Sequence, residues 1–363
     1  MKIAILTQEL WGNYGGILQN YALQIVLKRM GHDPYTVCYY GKSFRNWMWE
    51  VLKYFVKVII NHPNKRFGLK KFSFYQYNHN RGNGAFCIKY IQRSKPMRGI
   101  NTNAKFISEY DAFIVGSDQV WRPRYNLGRK SDYMYLEFLK DNSSVKKIAY
   151  AASFGVDEWE YDEQQTEKYQ ELIKQFDAIS VRESSGVELC TKYLHADAIQ
   201  VLDPTLMLSA EDYRSLIPEE ENVSRGDVCT YILDMTAEKQ ALIESFCSKN
   251  GLTWYAVGVP SHNGDFPSME SWLAGFANAK YVITDSFHGS VFSIIFNKPF
   301  VSIGNDARGM SRFNSLLKMF ELEGRLIKAT DSLEKISDPD WNLVSEKLKS
   351  WQEKSLEFLQ ENL

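Results

Sequence analysis

Short apolar runs that end in polar or glycine-rich turns and lead into helical stretches recur along the chain. Lys2 to Thr7 reads as a strand, Trp11-Gly12-Asn13-Tyr14-Gly15-Gly16 as a turn, and Ile17 to Met30 as a helix closed by Gly31. Asp33 to Tyr40 is a second strand. Tyr110 to Val115 leads into Gly116-Ser117-Asp118, Lys147 to Ala152 into Ser153-Phe154-Gly155, and Ala178 to Val181 into Arg182-Glu183, with a helix at Glu163 to Phe176. Alternation of this kind forces a parallel sheet, because each strand needs a crossover helix to return to the same edge. After Val201 to Leu208 the pattern restarts, with strands at Cys229 to Leu233, Trp254 to Gly258, Tyr281 to Thr284 and Phe300 to Ile303. The prediction is α/β: two Rossmann-like domains facing each other across a cleft. Their bounds are 1–200, with an insertion at 42–108, and 201–339, followed by an amphipathic terminal helix at 340–363.

Composition narrows the function. The 363 residues are 44% hydrophobic and 24% charged, ordinary values for a globular protein. The 43 basic and 44 acidic residues leave a net charge of −1, so no global electrostatic footprint for nucleic acid exists. Five cysteines lie scattered without metal-site spacing and no HxxxH or CxxC occurs, so reduced thiols and no protein-held metal are expected. No apolar run reaches membrane-spanning length and the chain opens directly on a strand, so a cytoplasmic protein is expected. Residues 42–71 place Met48, Val51, Leu52, Phe55, Val58 and Ile59 at helical spacing with Lys53 and Lys57 opposite. Such a helix either covers a core or rests on an anionic membrane at its inner face.

The sheet-edge turns hold the candidate chemistry. His288 lies between the strand Tyr281–Thr284 and the apolar helix Val291 to Phe296, in the run Asp285-Ser286-Phe287-His288-Gly289-Ser290. A helix N-terminus keeps imidazole neutral, so it can exchange protons near neutral pH, or the ring can merely fill space there. Gly15 and Gly16, with Asn13 and Asn20 nearby, form either an anion cradle or a tight turn. Asp118, beside Ser117, Gln119 and Trp121, can orient a sugar hydroxyl or cap a helix. Ser153 ends another strand. Arg182 and Arg308 have the planar fork that suits phosphate and carboxylate, unless Arg182 pairs with Glu183 or another carboxylate and Arg308 faces solvent.

These residues carry a resemblance. NYGGILQNYALQ, YDAFIVGSDQVW, IAYAASFG, FDAISVRE, VLDPTLML and ITDSFHGSVFSIIFNKPFVSIG, in that order, resemble the polysaccharide pyruvyl transferase family. The resemblance implies the glycosyltransferase-B arrangement of two domains. It implies transfer of the pyruvyl unit of phosphoenolpyruvate to a sugar of a surface or capsular polysaccharide precursor, forming a ketal and releasing phosphate. It further implies His288 as the proton donor. The donor would bind at Arg182, Arg308 and the turn residues Ser286, Gly289 and Ser290. The acceptor, a free sugar or a lipid-linked oligosaccharide, would lie along Asn13, Gly15, Gly16, Asn20, Ser117, Asp118, Gln119, Trp121 and Ser153. Phosphoenolpyruvate is then a co-substrate and no cofactor is needed. Many members have Arg where this chain has Ser286. Two other readings stay open: a nucleotide-sugar-dependent glycosyltransferase, for which Asp285 offers a carboxylate, and a non-catalytic glycan-binding protein.

Overall fold

The computed structural model describes residues 1–10, 12–40, 83–95, 97–98, 104–126, 128–259, 266–304 and 309–363. Within these, the apolar runs become two parallel sheets. The first contains β1 (Lys2–Leu6), β2 (Asp33–Thr36), β3 (Ala112–Val115), β4 (Lys146–Ala152), β5 (Ala178–Val181) and β6 (Ile199–Gln200), in the order β2-β1-β3-β4-β5-β6. The second contains β7 (Val228–Tyr231), β8 (Trp254–Ala256), β9 (Tyr281–Thr284), β10 (Phe300–Ile303) and β11 (Leu326–Ile327), in the order β8-β7-β9-β10-β11. Every pairing is parallel. Both sheets therefore reverse direction at the same place, between their first and third strands, as a doubly wound fold does. The strands β3, β7 and β10 are buried at every position, and β1 from Ile3 onward, because both faces are covered.

The two predicted Rossmann-like domains are thus present, with differences at element ends. The Asp33–Tyr40 stretch divides: Tyr39–Tyr40 leaves the large sheet to pair with Met97–Arg98. The first helix, α1 (Tyr14–Arg29), begins three residues earlier than expected, so Gly15 and Gly16 belong to its first turn. Asn13 makes this possible by accepting from Gly16 N at 3.2 Å. The other helices used below are α2 (Glu163–Ile173), α3 (Ser184–Leu189), α4 (Ala237–Asn250), α5 (Met269–Ala277), α6 (Phe287–Ile295), α7 (Ser311–Met319) and α8 (Trp341–Asn362). Of the insertion at 42–108, residues 83–95, 97–98 and 104–108 are described, and its basic amphipathic stretch, 42–71, lies outside the described residues.

One apolar cluster joins the halves. It runs from Ile3, Ile17 and Leu18 through Leu206 and Tyr213 to Trp272, Phe292 and Phe313. At its centre Tyr14 of α1 stacks on Trp272 of α5, with centroids 5.4 Å apart, and its hydroxyl donates to Pro267 O at 2.7 Å. Such a pair contributes about 0.5–1.5 kcal/mol beyond its buried area. On the other side of the cleft, Ser315 of α7 accepts from Ser184 N at 3.0 Å and from Gln200 Nε2 at 2.7 Å. The terminal helix α8 returns to the first sheet: Ser355 Oγ accepts from Leu202 N at 2.9 Å and Lys146 Nζ donates to Asn362 O at 2.9 Å. Among the described residues, no helix is long and apolar enough to cross a membrane, and no cluster of metal-ligating side chains exists. All five cysteines are free thiols.

Candidate active site

Ligands of open parallel sheets bind outside the carboxyl ends of the strands, where the strand order reverses. Here the two reversal points face each other, and a cavity of about 440 Å³ opens between them. Its first wall is the β1 turn (Gln8, Glu9, Gly12, Asn13) and the β3 turn (Asp118, Gln119), with exposed Tyr125 at the rim. Its second wall is the end of β7 (Tyr231, Leu233) and the β9 turn, Asp285 to His288. Arg312 and Phe313 close it from the start of α7. The volume suits a small metabolite and part of a sugar. The amino ends of α1, α6 and α7 all meet this space, and each favours negative charge.

His288 is the second residue of α6, inside the helix and not in a turn before it. Its ring reaches across the cleft to α1, so closely that a Cβ on Gly15 would lie 2.0 Å from Nδ1. Glycine is therefore required at 15 by an element more than 270 positions away in the chain. Burial pushes the imidazole pKa down to about 4; the Asp203 carboxylate opposes the fall and the Arg182 guanidinium adds to it. His288 is thus neutral at pH 7, with burial as the main cause.

Arg182 does not reach the cavity wall. It donates from Nη1 to Asp203 Oδ2 at 2.9 Å and from Nη2 to Ser153 Oγ at 3.0 Å, and its Nε lies 3.7 Å from Glu183 Oε2. Glu183 Oε1 in turn accepts from Ser153 Oγ, Phe154 N and Gly155 N at 2.8 to 2.9 Å. Asp203 also accepts from Thr205 N and Oγ1, and from Gln19 Nε2. The ion pair expected as the alternative for Arg182 is present, with Asp203 and Glu183 as its carboxylates, and Arg182 Nε and Glu183 Oε2 make no hydrogen bond among the described residues. Ser153, expected along the acceptor path, belongs to the same brace.

Among the described residues, the cation that lines the cavity is Arg312. Burial, and after it the positive charge of Arg182, lower its pKa to about 10 against the pull of Asp118 and Glu183. Arg182 and Arg312 lie on the Phe287 ring, 4.7 and 5.6 Å from its centroid. The sequence reading missed Arg312 because it sits in an amphipathic helix, where an arginine normally marks the solvated face. It missed Asp203 because the stretch around it reads as a junction between domains.

The remaining expected residues divide. Asn13, Asp118, Gln119, Ser286 and His288 line the cavity; Gly15 packs on the His288 ring, and Gly16 on Asn13 and Asp118, whose Oδ2 lies 3.2 Å from where a Gly16 Cβ would be. Asn20 does not: its Oδ1 accepts from Thr36 Oγ1 at 2.6 Å and ties α1 to β2. Trp121 is buried, stacked on Tyr135 at 5.3 Å, with Nε1 donating to Met134 O. Ser117 is buried behind the β3 turn. Gly289 and Ser290 face the sheet rather than the ligand space. A Cβ at 289 would meet Thr284 Oγ1 at 2.1 Å, and Ser290 Oγ is 2.6 Å from Ser302 Oγ. Asp285 lies at the wall, but its oxygens accept from Leu233 N at 2.6 Å, Asp234 N at 3.2 Å and Lys239 Nζ at 2.7 Å, so it braces the β7 turn. Arg308 lies outside the described residues.

Fold and site together define a two-domain α/β protein with a small-molecule cavity between facing sheet edges. The chain belongs to the polysaccharide pyruvyl transferase family, whose sequence model matches residues 13–307. No match is found among curated proteins. Among solved structures, an alpha-glucosyltransferase in complex with UDP is similar at 12% identity and a TM-score of 0.47, over 100% of this chain and 96% of that one. A UDP-GlcNAc 2-epimerase from Neisseria meningitidis bound to UDP-GlcNAc is similar at 9% identity and a TM-score of 0.47, over 99% and 94%.

Proposed function

We propose that this protein transfers the pyruvyl group of phosphoenolpyruvate to two hydroxyls of one sugar in a polysaccharide precursor, closing a ketal and releasing phosphate. The observation that carries the reading is a cavity of about 440 Å³ that has Arg312 and His288 on its wall and meets the amino ends of three helices. A guanidinium and three helix amino ends at one cavity suit a small dianion or trianion. The family to which the chain belongs supplies the chemistry that such an anion would undergo.

The reaction balances as follows. One sugar hydroxyl adds to C2 of the enol phosphate while C3 gains a proton and becomes a methyl group. A second hydroxyl then displaces phosphate from C2, and its proton leaves with the phosphate. Because His288 is neutral at rest, it is suited first to take the proton of the attacking hydroxyl and then to hand it to C3. This replaces the simpler expectation of a resident acid. Arg312 and the start of α6 would hold the carboxylate and phosphate. Phosphoenolpyruvate is a cytoplasmic metabolite, so the proposal puts the reaction there, with no cofactor.

The test is incubation of the purified protein with phosphoenolpyruvate and a panel of galactosides, glucosides and N-acetylhexosaminides. Phosphate release and the mass of the acceptor are followed. Ketal formation with at least one acceptor is expected, and His288→Ala should reduce it by about 10²–10⁴-fold with the fold retained. Turnover of nucleotide sugars and none of phosphoenolpyruvate would overturn the proposal, as would near-normal activity of folded His288→Ala.

A further inference from the structure

The two nitrogens of the His288 ring meet different surroundings. Nε2 is sealed from solvent and makes no hydrogen bond among the described residues. Facing it at 3.8 Å is Oδ2 of Asp203. Nδ1 instead abuts the amino end of α1 at Gly15. Asp203 itself is immobilised, with Thr205 N at 3.0 Å and Thr205 Oγ1 at 2.6 Å on one oxygen, and Arg182 and Gln19 on the other. Burial acts to raise its pKa, but His288, Arg182 and Thr205 outweigh burial and hold the carboxyl below its ordinary range. A fixed anion behind one nitrogen favours a proton there. The positive end of a helix beside the other nitrogen disfavours one.

We propose that Asp203 is the positioning residue of His288: it keeps the ring proton on Nε2, leaves the Nδ1 lone pair to exchange protons with substrate, and stabilises the imidazolium when Nδ1 is protonated. The proposal rests on the reading above, in which His288 carries the acceptor proton to C3. A closure of about 1 Å brings Nε2 and Asp203 into hydrogen-bond range. Arg182 then acts through Asp203, keeping it ionised, and need not touch the donor. Four charged groups face the ring: Asp203 and Asp118 favour its protonated form, and Arg182 and Arg312 oppose it. Asp203 is the stronger of the two carboxylates, so its charge sets how readily the imidazolium forms.

Two measurements test this. In the full-length protein with ¹⁵N-labelled histidine, His288 is assigned by the signals lost in His288→Gln. The Nε2–H tautomer is expected at neutral pH, and the Nδ1–H tautomer overturns the proposal. In Asp203→Asn, which keeps the side chain's shape and removes its charge, kcat should fall on the order of 10²–10⁴-fold. KM for phosphoenolpyruvate should stay within about 3-fold. The acid limb of kcat/KM should move to lower pH, because the imidazole loses its supporting anion. Folded Asp203→Asn with an unmoved acid limb overturns the proposal. If that variant does not fold, the tautomer in the unaltered protein decides. If the unaltered protein releases no phosphate from phosphoenolpyruvate with any acceptor, the transfer reading fails, and the tautomer measurement, which uses no substrate, still decides the role of Asp203.

Discussion

At the edge of the first sheet, Arg182, Asp203 and Glu183 answer one another's charges, and Ser153 links Arg182 to Glu183. At the edge of the second, His288 and Arg312 border open space, and the charged form of each is disfavoured. Both edges come from one strand order and carry buried cations. What separates them is access: the first set of charges is enclosed by the chain, and the second borders a cavity of about 440 Å³. A buried ion pair enclosed in this way is a brace, whereas a cation and an imidazole on a cavity wall can meet a ligand.

The sharpest way to break the comparison is to remove the two arginines in turn. Arg182→Met leaves Asp203 and Glu183 buried without their cation, and should cost about 3–5 kcal/mol in urea unfolding. Arg312→Met should cost less, about 1–3 kcal/mol, because it breaks the contacts of one buried polar side chain and removes a charge that burial already penalises. Its effect should appear instead as a rise in KM for phosphoenolpyruvate of about 10–100-fold, the worth of a charge-assisted hydrogen bond. Equal destabilisation by both substitutions would mean that the two edges do the same work.

Acidification probes the second edge alone. An unfolded histidine titrates near pH 6.5, whereas His288 in the folded protein titrates at about 4. Between those values the unfolded chain binds a proton that the folded one does not, so stability falls as pH drops through the window. Below about pH 4 both states are protonated and this contribution stops changing. Its size is about 3 kcal/mol. Between neutral pH and about pH 4, the loss of stability seen in urea unfolding should be larger by that amount for the unaltered protein than for His288→Gln. Parallel curves would show that His288 is not held neutral.

The sheets and most helices were legible because apolar runs and polar turns obey local rules: Ile3 to Leu6, Ala112 to Val115 and Phe300 to Ile303 can be little else but buried parallel strands. The cavity wall was legible in part, at His288, Asp118 and Asn13, since turns after such strands gather at one edge. What escaped depends on contacts distant in sequence. The partner of Arg182 lies at Asp203, and the aromatic face of Trp121 is turned to Tyr135 rather than to a sugar. The starts of α1 and α6 were read too late for the same reason. Glycine at 15 and 16 signals a turn by local rules, but its use here is to let one domain approach the other.

That approach gives the smallest and most localised test. Gly15 sits inside α1, where alanine is favoured over glycine by about 1 kcal/mol, so local propensity alone predicts that Gly15→Ala stabilises the protein. The added Cβ would lie 2.0 Å from Nδ1 and 2.2 Å from Cγ of His288, which is part of a ring and cannot yield at its tip. Either the ring or the domain contact must shift, at an overpacking cost of about 1–3 kcal/mol. Net destabilisation of about 0–2 kcal/mol is therefore expected from the two opposing effects. Activity should fall further than stability, by about 10²-fold, because an ångström of displacement misaligns the proton carrier. Gly31→Ala serves as the control: it also replaces a glycine beside α1, but no atom lies within 4 Å of its added Cβ. Its positive φ costs stability without touching the ring. If Gly15→Ala stabilised the protein and left turnover intact, the cleft would be wider in solution than this contact requires, and His288 would not be held between the two domains.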